Sequence, residues 1–156
     1  MKTKKIGLIA GGGDLPLIFS KAVKERGLEV ITVALKDEAS GELENFSDKI
    51  YWVSIGEPMK LVEAFKKERV RNLVMLGGIK KANLYKDIAK DKYAEGVLKI
   101  SRDNRDETLL KSAANRLWWL GLYLKRPTDY LKKLLPEKGV LTKRFPTKNE
   151  YSDIKF

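Results

Sequence analysis

Short apolar runs alternate with helix-length segments in the first half of the chain, and this alternation constrains the fold more than any other feature. The runs are Ile6–Ala10, Glu29–Leu35, Lys49–Val53 and Asn72–Leu76. Continuous apolar runs of this length are typical of strands buried on both faces of a sheet. Strands that alternate with helices of about 10–12 residues predict an α/β fold. We therefore predict a Rossmann-like, doubly wound, mainly parallel sheet with helices on both faces.

Prolines mark where the intervening helices begin. Pro16 and Pro58 suit the first turn of a helix, where a missing N–H costs nothing. The first helix is predicted over residues 15–26, and Gly27 ends it. The faces expected to pack on the sheet are Leu17, Ile18, Ala22 and Val23 in the first helix, and Leu61, Val62, Ala64 and Phe65 in the second.

The pattern changes after Gly78. We predict a helix over residues 109–120, a short strand over 122–125 and a short helix over 128–135. Residues 141–156 are polar and mixed, which is typical of a linker. The chain is accordingly divided into a Rossmann-like domain, residues 1–140, and a linker, residues 141–156.

Composition excludes several chemistries. The 156 residues contain no cysteine and no histidine. Disulfides and thiolate metal sites are therefore ruled out, and so are the commonest general base and the commonest transition-metal ligand. A metal would have to be a hard cation such as Mg²⁺ on oxygen ligands. No nucleophile–base pair stands out, so no catalytic or metal-binding residue is predicted.

The net charge of +11 is unevenly distributed. Residues 1–59 carry 8 Lys and Arg against 9 Asp and Glu, whereas residues 60–156 carry 24 against 12. The balances are −1 and +12, which favour an anionic partner for the later part of the chain. Nucleic acid, a phosphorylated substrate and an acidic membrane surface all fit, and a solvated lysine-rich surface is the plain alternative.

The strongest local motif is the glycine turn between the first strand and the first helix. Glycines let the backbone approach a phosphate, and a helix N-terminus offers unpaired N–H groups. Pro16 stands where a dinucleotide fingerprint has its third glycine, so the motif is a different one. A tight turn would need glycine even without a ligand. The residues predicted to contact a ligand here are Gly11, Gly12, Gly13, Asp14 and Leu15.

A second glycine turn follows the fourth strand. Gly77 and Gly78 precede Lys80 and Lys81, and Lys36 follows the second strand. Ligands of open α/β sheets lie outside the carboxyl ends of the strands. We therefore predict that these five residues bind the same phosphate or sugar-phosphate as the first turn, and that the two turns are neighbours. Solvated lysines on an ordinary turn are the alternative.

Two further features of the later chain have competing interpretations. Asp106 and Glu107 could hold Mg²⁺, but a helix cap and a favourable charge at the helix N-terminus are preferred. Trp118, Trp119 and Tyr123 favour core or partner contact over base stacking, because adjacent helical residues point about 100° apart.

These motifs closely resemble a known family. The opening Ile6–Pro16 resembles that of the LpxI family, the metal-dependent UDP-2,3-diacylglucosamine pyrophosphatases of lipid A biosynthesis that are unrelated to calcineurin-like phosphoesterases. The resemblance covers essentially the whole chain. It continues through the segments Val30–Lys36, Val53–Gly56, Gly77–Lys81, Asp106–Leu110, Gly139–Thr142, Pro146 and Asp153–Ile154.

The resemblance implies a function and its partners. The complete enzyme hydrolyses UDP-2,3-diacylglucosamine to UMP and 2,3-diacylglucosamine 1-phosphate (lipid X), using Mg²⁺ or Mn²⁺. A C-terminal domain, absent from this chain, carries the catalytic aspartate, so residues 141–156 are expected to lead to it. This chain would then be the substrate-binding half, inactive alone. The family often has arginine and proline where this chain has Lys80 and Lys81. The resemblance therefore supports a ligand site at these two lysines less strongly.

The environment and two alternative functions follow from the same residues. No apolar run approaches the roughly 18 residues of a membrane span, and Ile6–Ala10 is too short for an exported leader. We expect a cytoplasmic protein, with peripheral contact to the inner membrane and a homodimer left open. The alternatives are a nucleotide-binding Rossmann domain of an oxidoreductase and a basic nucleic-acid-binding domain. We expect no nucleic acid as partner, because no recognised motif accompanies the charge.

Overall fold

The computed structural model describes residues 4–80 and 106–154, and for residues 106–110 only the backbone. Within these residues there are five strands: β1 (Lys5–Ala10), β2 (Glu29–Leu35), β3 (Lys49–Val53), β4 (Asn72–Leu76) and β5 (Tyr123–Leu124). The α-helices of the described ranges are α1 (Leu15–Lys24), α2 (Pro58–Lys67), α3 (Asp106–Trp119) and α4 (Lys148–Ile154). Short 3₁₀ helices span Gly41–Phe46, Pro127–Asp129 and Lys132–Leu134.

The strands form one sheet in the order β3-β2-β1-β4-β5, and every pairing is parallel. This is the strand order of a Rossmann sheet. The central strand β1 pairs with β2 from Lys5 to Ala10 and with β4 from Gly7 to Ala10. The predicted α/β, Rossmann-like parallel sheet is therefore confirmed.

Helices cover both faces of this sheet. On one face, α1 contributes Phe19 and Val23 to a cluster with Ile6, Leu8 and Val30. On the other face, α2 and α3 pack over Ile9, Ile31, Val33 and Leu73, using Val62, Phe65 and Leu117. The apolar runs of the strands are buried because each face of the sheet meets a helix.

Some element boundaries differ from the sequence predictions. Helix α1 ends at Lys24 and buries Phe19 more deeply than the predicted Leu17 and Ile18, which only flank the cluster. Helix α3 already begins at Asp106. The predicted helix over 128–135 is two 3₁₀ turns instead. Residues 141–156, predicted to be a linker, contain α4, none of whose residues is buried.

A capping box stabilises the N-terminus of helix α4. The Thr147 N–H donates to Glu150 Oε2 at 2.7 Å, and the Glu150 N–H donates to Thr147 Oγ1 at 3.4 Å. Arg144 binds the same carboxylate through both terminal nitrogens. This guanidinium, followed by the Thr147 donors, lowers the pKa of Glu150 to about 2. Local side chains therefore stabilise the start of this helix. The polar composition of the segment did not indicate a helix.

No helix within residues 4–80 and 106–154 has the length and apolar character needed to cross a bilayer.

Candidate functional site

The two glycine turns meet at the carboxyl edge of the sheet. The Gly12 N–H donates to the Gly78 carbonyl at 2.8 Å, and the Gly78 N–H donates to the Gly12 carbonyl at 2.9 Å. The Gly11 N–H donates to the Leu76 carbonyl at 2.8 Å. The predicted proximity of the turns is thus confirmed. We call residues 11–15 and 77–80 the glycine rim.

Close backbone approach explains two of the glycines in this rim. A Cβ on Gly11 would lie 2.4 Å from the Gly78 carbonyl oxygen. A Cβ on Gly77 would lie 2.6 Å from the carbonyl carbon of Gly11, and Gly77 has a φ of +95°. Side chains cannot be accommodated at these distances, and a positive φ also disfavours them. Gly11 and Gly77 are therefore required by the packing of the turns themselves.

The internal bridge changes which backbone groups can reach a ligand. The N–H groups of Gly11, Gly12 and Gly78 are engaged within the protein. In contrast, the backbone N–H groups of Gly13, Asp14 and Leu15 make no hydrogen bond to any described residue. Donation of N–H groups to a ligand is thus best supported at residues 13–15, where the first turn leads into α1.

Gly13 itself faces open space. Its φ is +92°, and a Cβ there would have nothing within 4 Å. No side chain caps the N-terminus of α1, since Asp14 makes no capping hydrogen bond. The first turn of α1 therefore presents its donors and the positive end of its dipole outward. Ligand contact at Gly13, Asp14 and Leu15 stays a prediction.

The loop after β2 completes the edge. Lys36 is exposed, and its backbone N–H donates to the Val53 carbonyl at 3.0 Å. The Glu38 carboxylate accepts the Lys80 N–H at 2.9 Å. The Glu38 carbonyl oxygen lies 3.2 Å from the position a Cβ would take on Gly12. Three strand ends are thereby connected, and Glu38 is a participant that the sequence analysis did not single out.

The lysines of this edge meet different surroundings. Lys80 is exposed, whereas Lys81 lies outside the described residues. Lys36 is close enough to Glu57 to help lower the pKa of that carboxyl group, although the hydrogen bond from Lys60 contributes most. Lys36 and Lys80 thus supply positive charge at this edge, beside the carboxylates of Asp14, Asp37 and Glu38 in the same loops.

An apolar cleft lies beside the glycine rim, between α2 and α3. Its volume is about 230 Å³. Ile79 of the rim and Leu35, which precedes Lys36, both line it. Apart from Ser54 and Arg116 the lining is apolar; its other members are Ile9, Val53, Ile55, Pro58, Met59, Leu61, Val62, Met75, Ala113, Leu117 and Leu120.

The sequence pattern does not predict this cleft, although it contains one signal of it. Met59 and Ile79 are apolar residues near strand ends, where polar residues are usual, and they are 45% and 42% exposed. The cleft combines side chains from four strands, two helices and three connecting segments. Its polar neighbour is the glycine rim, so a ligand with an apolar chain and an anionic head would match both.

The buried carboxylate of the domain lies at the opposite end of the sheet. Glu68, which follows α2, accepts Lys49 Nζ at 2.8 and 3.0 Å and Tyr51 Oη at 2.6 Å. The hydrogen bond from Lys49 contributes most to holding the pKa of the Glu68 carboxyl group below its usual value, and the hydrogen bond from Tyr51 comes second. Because Lys49 begins β3, this cluster is remote from the carboxyl ends of the strands, where the glycine rim lies. It connects the end of α2 to the sheet.

Residues 4–80 and 111–154 bring no three acidic side chains together in a way that could hold a metal ion. The side chains of Asp106 and Glu107 lie outside the description, so their predicted capping role stays a prediction.

A family model described as the LpxI N-terminal domain matches residues 5–134. None of the curated proteins compared with this sequence matches it significantly.

Solved structures show only distant likeness. The biotin carboxylase subunit of pyruvate carboxylase is 12% identical, with a TM-score of 0.48 over 78% of this chain and 22% of its own. The Bordetella bronchiseptica enzyme WbmG in complex with NAD and UDP is 14% identical, with a TM-score of 0.46 over 72% and 34%. Phosphoribosylglycinamide synthetase from Anaerococcus prevotii is 20% identical, with a TM-score of 0.40 over 74% and 35%.

The present chain thus spans far less than two thirds of the length of these structures. Their TM-scores lie below 0.5, so they carry no functional argument. The assignment of the fold is based on the order of the strands in the sheet.

Proposed function

This chain belongs to the LpxI N-terminal domain family of the lipid A pathway, and we propose that it binds UDP-2,3-diacylglucosamine for hydrolysis. In that reaction water adds across the phosphoanhydride bond and yields UMP and lipid X. The chain would supply the substrate-binding half of the enzyme. A C-terminal domain would supply the catalytic aspartate, with Mg²⁺ or Mn²⁺ as the cofactor of the complete enzyme.

One juxtaposition carries this proposal: the apolar cleft adjoins the glycine rim. The substrate is an amphiphile that bears two fatty acyl chains and a diphosphate. The cleft offers apolar surface for an acyl chain, and burial stabilises it by about 0.8 kcal/mol per methylene group. The rim offers the free N–H groups of residues 13–15 for phosphate oxygens.

Lysines add to the anion-binding character of the rim. Lys36 and Lys80 are exposed at the strand ends that flank the rim. A lysine acts on phosphate as a mobile point charge, so it can follow the substrate without fixed geometry. We propose Lys81 as a further contact from its place in the sequence beside Lys80.

The proposed setting follows from the substrate. Lipid X and its precursor partition into membranes through their acyl chains, so a cytoplasmic enzyme would meet them at the inner membrane. We propose this location together with the substrate, and a homodimer stays compatible with both.

The test separates the acyl-binding cleft from the phosphate-binding rim. Ala113 lines the cleft, whereas the adjacent Ala114, equally half-buried on α3, does not. We expect Ala113→Leu to fill the cleft and weaken the binding of lipid X at least tenfold, while UMP binding is unchanged. Ala114→Leu is the matched control and should alter neither. Calorimetric titration measures the affinity of the unaltered full chain and of both variants for lipid X and for UMP.

Two results would count against the proposal. Equal weakening of lipid X and UMP binding by Ala113→Leu would mean that the cleft is not an acyl site. Tight binding of NAD or NADP, with no affinity for lipid X, would favour the oxidoreductase alternative instead.

A further inference from the structure

Two tryptophans are exposed where α3 joins β5. Trp118 is 57% exposed and Trp119 is 81% exposed, and their rings meet edge to face at 5.3 Å. Tyr123, at the start of β5, is 39% exposed. We call these three residues the tryptophan patch. Large aromatic side chains at such exposure are costly in water, so the patch has no structural explanation within the described residues.

The turn that follows α3 directs the two tryptophan side chains outward. The Gly121 N–H donates to the Trp118 carbonyl at 2.9 Å, and the Leu122 N–H donates to the Leu117 carbonyl at 2.9 Å. Leu117 and Leu122 are buried by this turn, at 9% and 1% exposure. The tryptophans between them are thereby directed away from the core.

Basic side chains surround the patch. From Thr108 to Thr128 the sequence has four basic residues and no acidic one. The Tyr123 N–H donates to the Arg71 carbonyl at 2.7 Å, which places Arg71 at the edge of the patch. Arg71, Arg116 and Lys125 are exposed and form no ion pair with any described residue.

We propose that the tryptophan patch docks on an anionic phospholipid bilayer. Tryptophan and tyrosine favour the interface between water and lipid, because the ring is apolar and its polar atom stays hydrated. Lysine and arginine near an anionic bilayer each add favourable attraction. The patch combines both features, and it has no acidic residue that would repel lipid phosphates.

A bilayer fits better than nucleic acid or a second copy of this chain. Base stacking needs aromatic rings that present a free face side by side, whereas Trp118 and Trp119 are nearly perpendicular, at 84°. A second copy would bring Arg71, Arg116 and Lys125 against their own counterparts, and like charges oppose such an interface.

The docking would also orient the apolar cleft. Arg116 lines the cleft on α3, the helix that carries Trp118 and Trp119, and Leu120 lines it from the turn that follows. A bilayer contact at Trp119 would therefore hold one wall of the cleft at the lipid surface. The docking itself does not depend on the identity of the substrate.

Vesicle flotation of the full chain tests the proposal. We expect binding to vesicles of mixed phosphatidylcholine and phosphatidylglycerol, and much weaker binding to phosphatidylcholine alone. Trp119→Ser should lower the partition coefficient by about tenfold or more, because apolar area is no longer buried. Arg71→Gln and Lys125→Gln should each lower it about fivefold.

The matched control is Phe145→Ser. Phe145 is 72% exposed but lies outside the patch, so its replacement should leave partition unchanged. Tryptophan fluorescence in a Trp52→Phe background gives a second measurement, since only the patch then emits. A blue shift on adding anionic vesicles is expected, and its reversal at high salt would confirm the electrostatic part.

Three results would overturn the proposal. The first is no binding of the unaltered chain to anionic vesicles. The second is binding that Trp119→Ser and Phe145→Ser reduce equally. The third is a dimer in sedimentation velocity that Trp119→Ser dissociates without changing vesicle binding, because the patch would then be a contact between copies.

Discussion

Gly12 and Gly78 exchange two backbone hydrogen bonds, of 2.8 and 2.9 Å, and this antiparallel bridge joins the ends of two parallel strands. The glycine rim is therefore one unit and not two independent turns. The first turn therefore lies directly beside the loop that carries Lys80. Substitutions can therefore distinguish the glycines that build this unit from Gly13, which faces open space.

Gly11→Ala and Gly77→Ala should destabilise the fold. The new Cβ atoms would collide with backbone atoms of the partner turn, at 2.4 and 2.6 Å, and relief of such overpacking costs about 1–3 kcal/mol. Gly78→Ala is the control, because a Cβ there meets open space. The free energy of unfolding in urea measures the difference, and equal stability of all three variants would show that the turns separate easily.

Gly13→Ala should weaken substrate binding beyond its effect on stability. A residue forced into positive φ costs about 1–2 kcal/mol, but the Cβ itself has room. Gly27→Ala, at the other end of α1, has a similar φ of +69° and equally open surroundings. We expect similar melting temperatures for both variants and loss of lipid X binding only for Gly13→Ala. Unchanged binding would make Gly13 a structural glycine only.

Acid should remove the stabilisation that Glu68 provides. Its folded pKa is lowered, chiefly by Lys49 and then by Tyr51. The contribution is therefore complete above the unfolded pKa of about 4.3 and is lost as pH falls through the folded value. Urea unfolding between about pH 6 and pH 3 should show a shallower acid loss for Glu68→Gln.

Glu63→Gln is the comparison for that experiment. Glu63 is exposed on α2, the helix that Glu68 follows, and forms no ion pair with a described residue. Its replacement should leave the pH dependence unaltered. A Glu68→Gln variant with an unchanged acid limb would mean that the Lys49 pair does not form in solution.

We predict that the 156-residue chain does not release UMP from UDP-2,3-diacylglucosamine with Mg²⁺ or Mn²⁺. The family resemblance assigns the catalytic aspartate to a second domain, and the described residues supply binding surfaces. Release of UMP by the purified chain, measured by chromatography, checks this. Metal-dependent turnover that persists through repurification would place catalytic residues in this chain.

The sequence by itself determined the sheet and much of its edge. The buried strand Glu29–Leu35 coincides with its predicted run, because strands covered on both faces are largely apolar. Parallel strands end at one edge, so the adjacency of Gly12 and Gly78 also followed from the pattern. The helix ends were less predictable, since α1 buries Phe19 according to its rotation on the sheet.

Only the tertiary structure decided the roles of individual site residues. A run of glycines does not reveal that Gly11 is pressed against Gly78 while Gly13 faces solvent, because this depends on how closely two turns approach. The cleft was equally hidden. Met59, Ile79 and Ala113 are distant in sequence, and they line one space because α2 and α3 pack on the same face of the sheet.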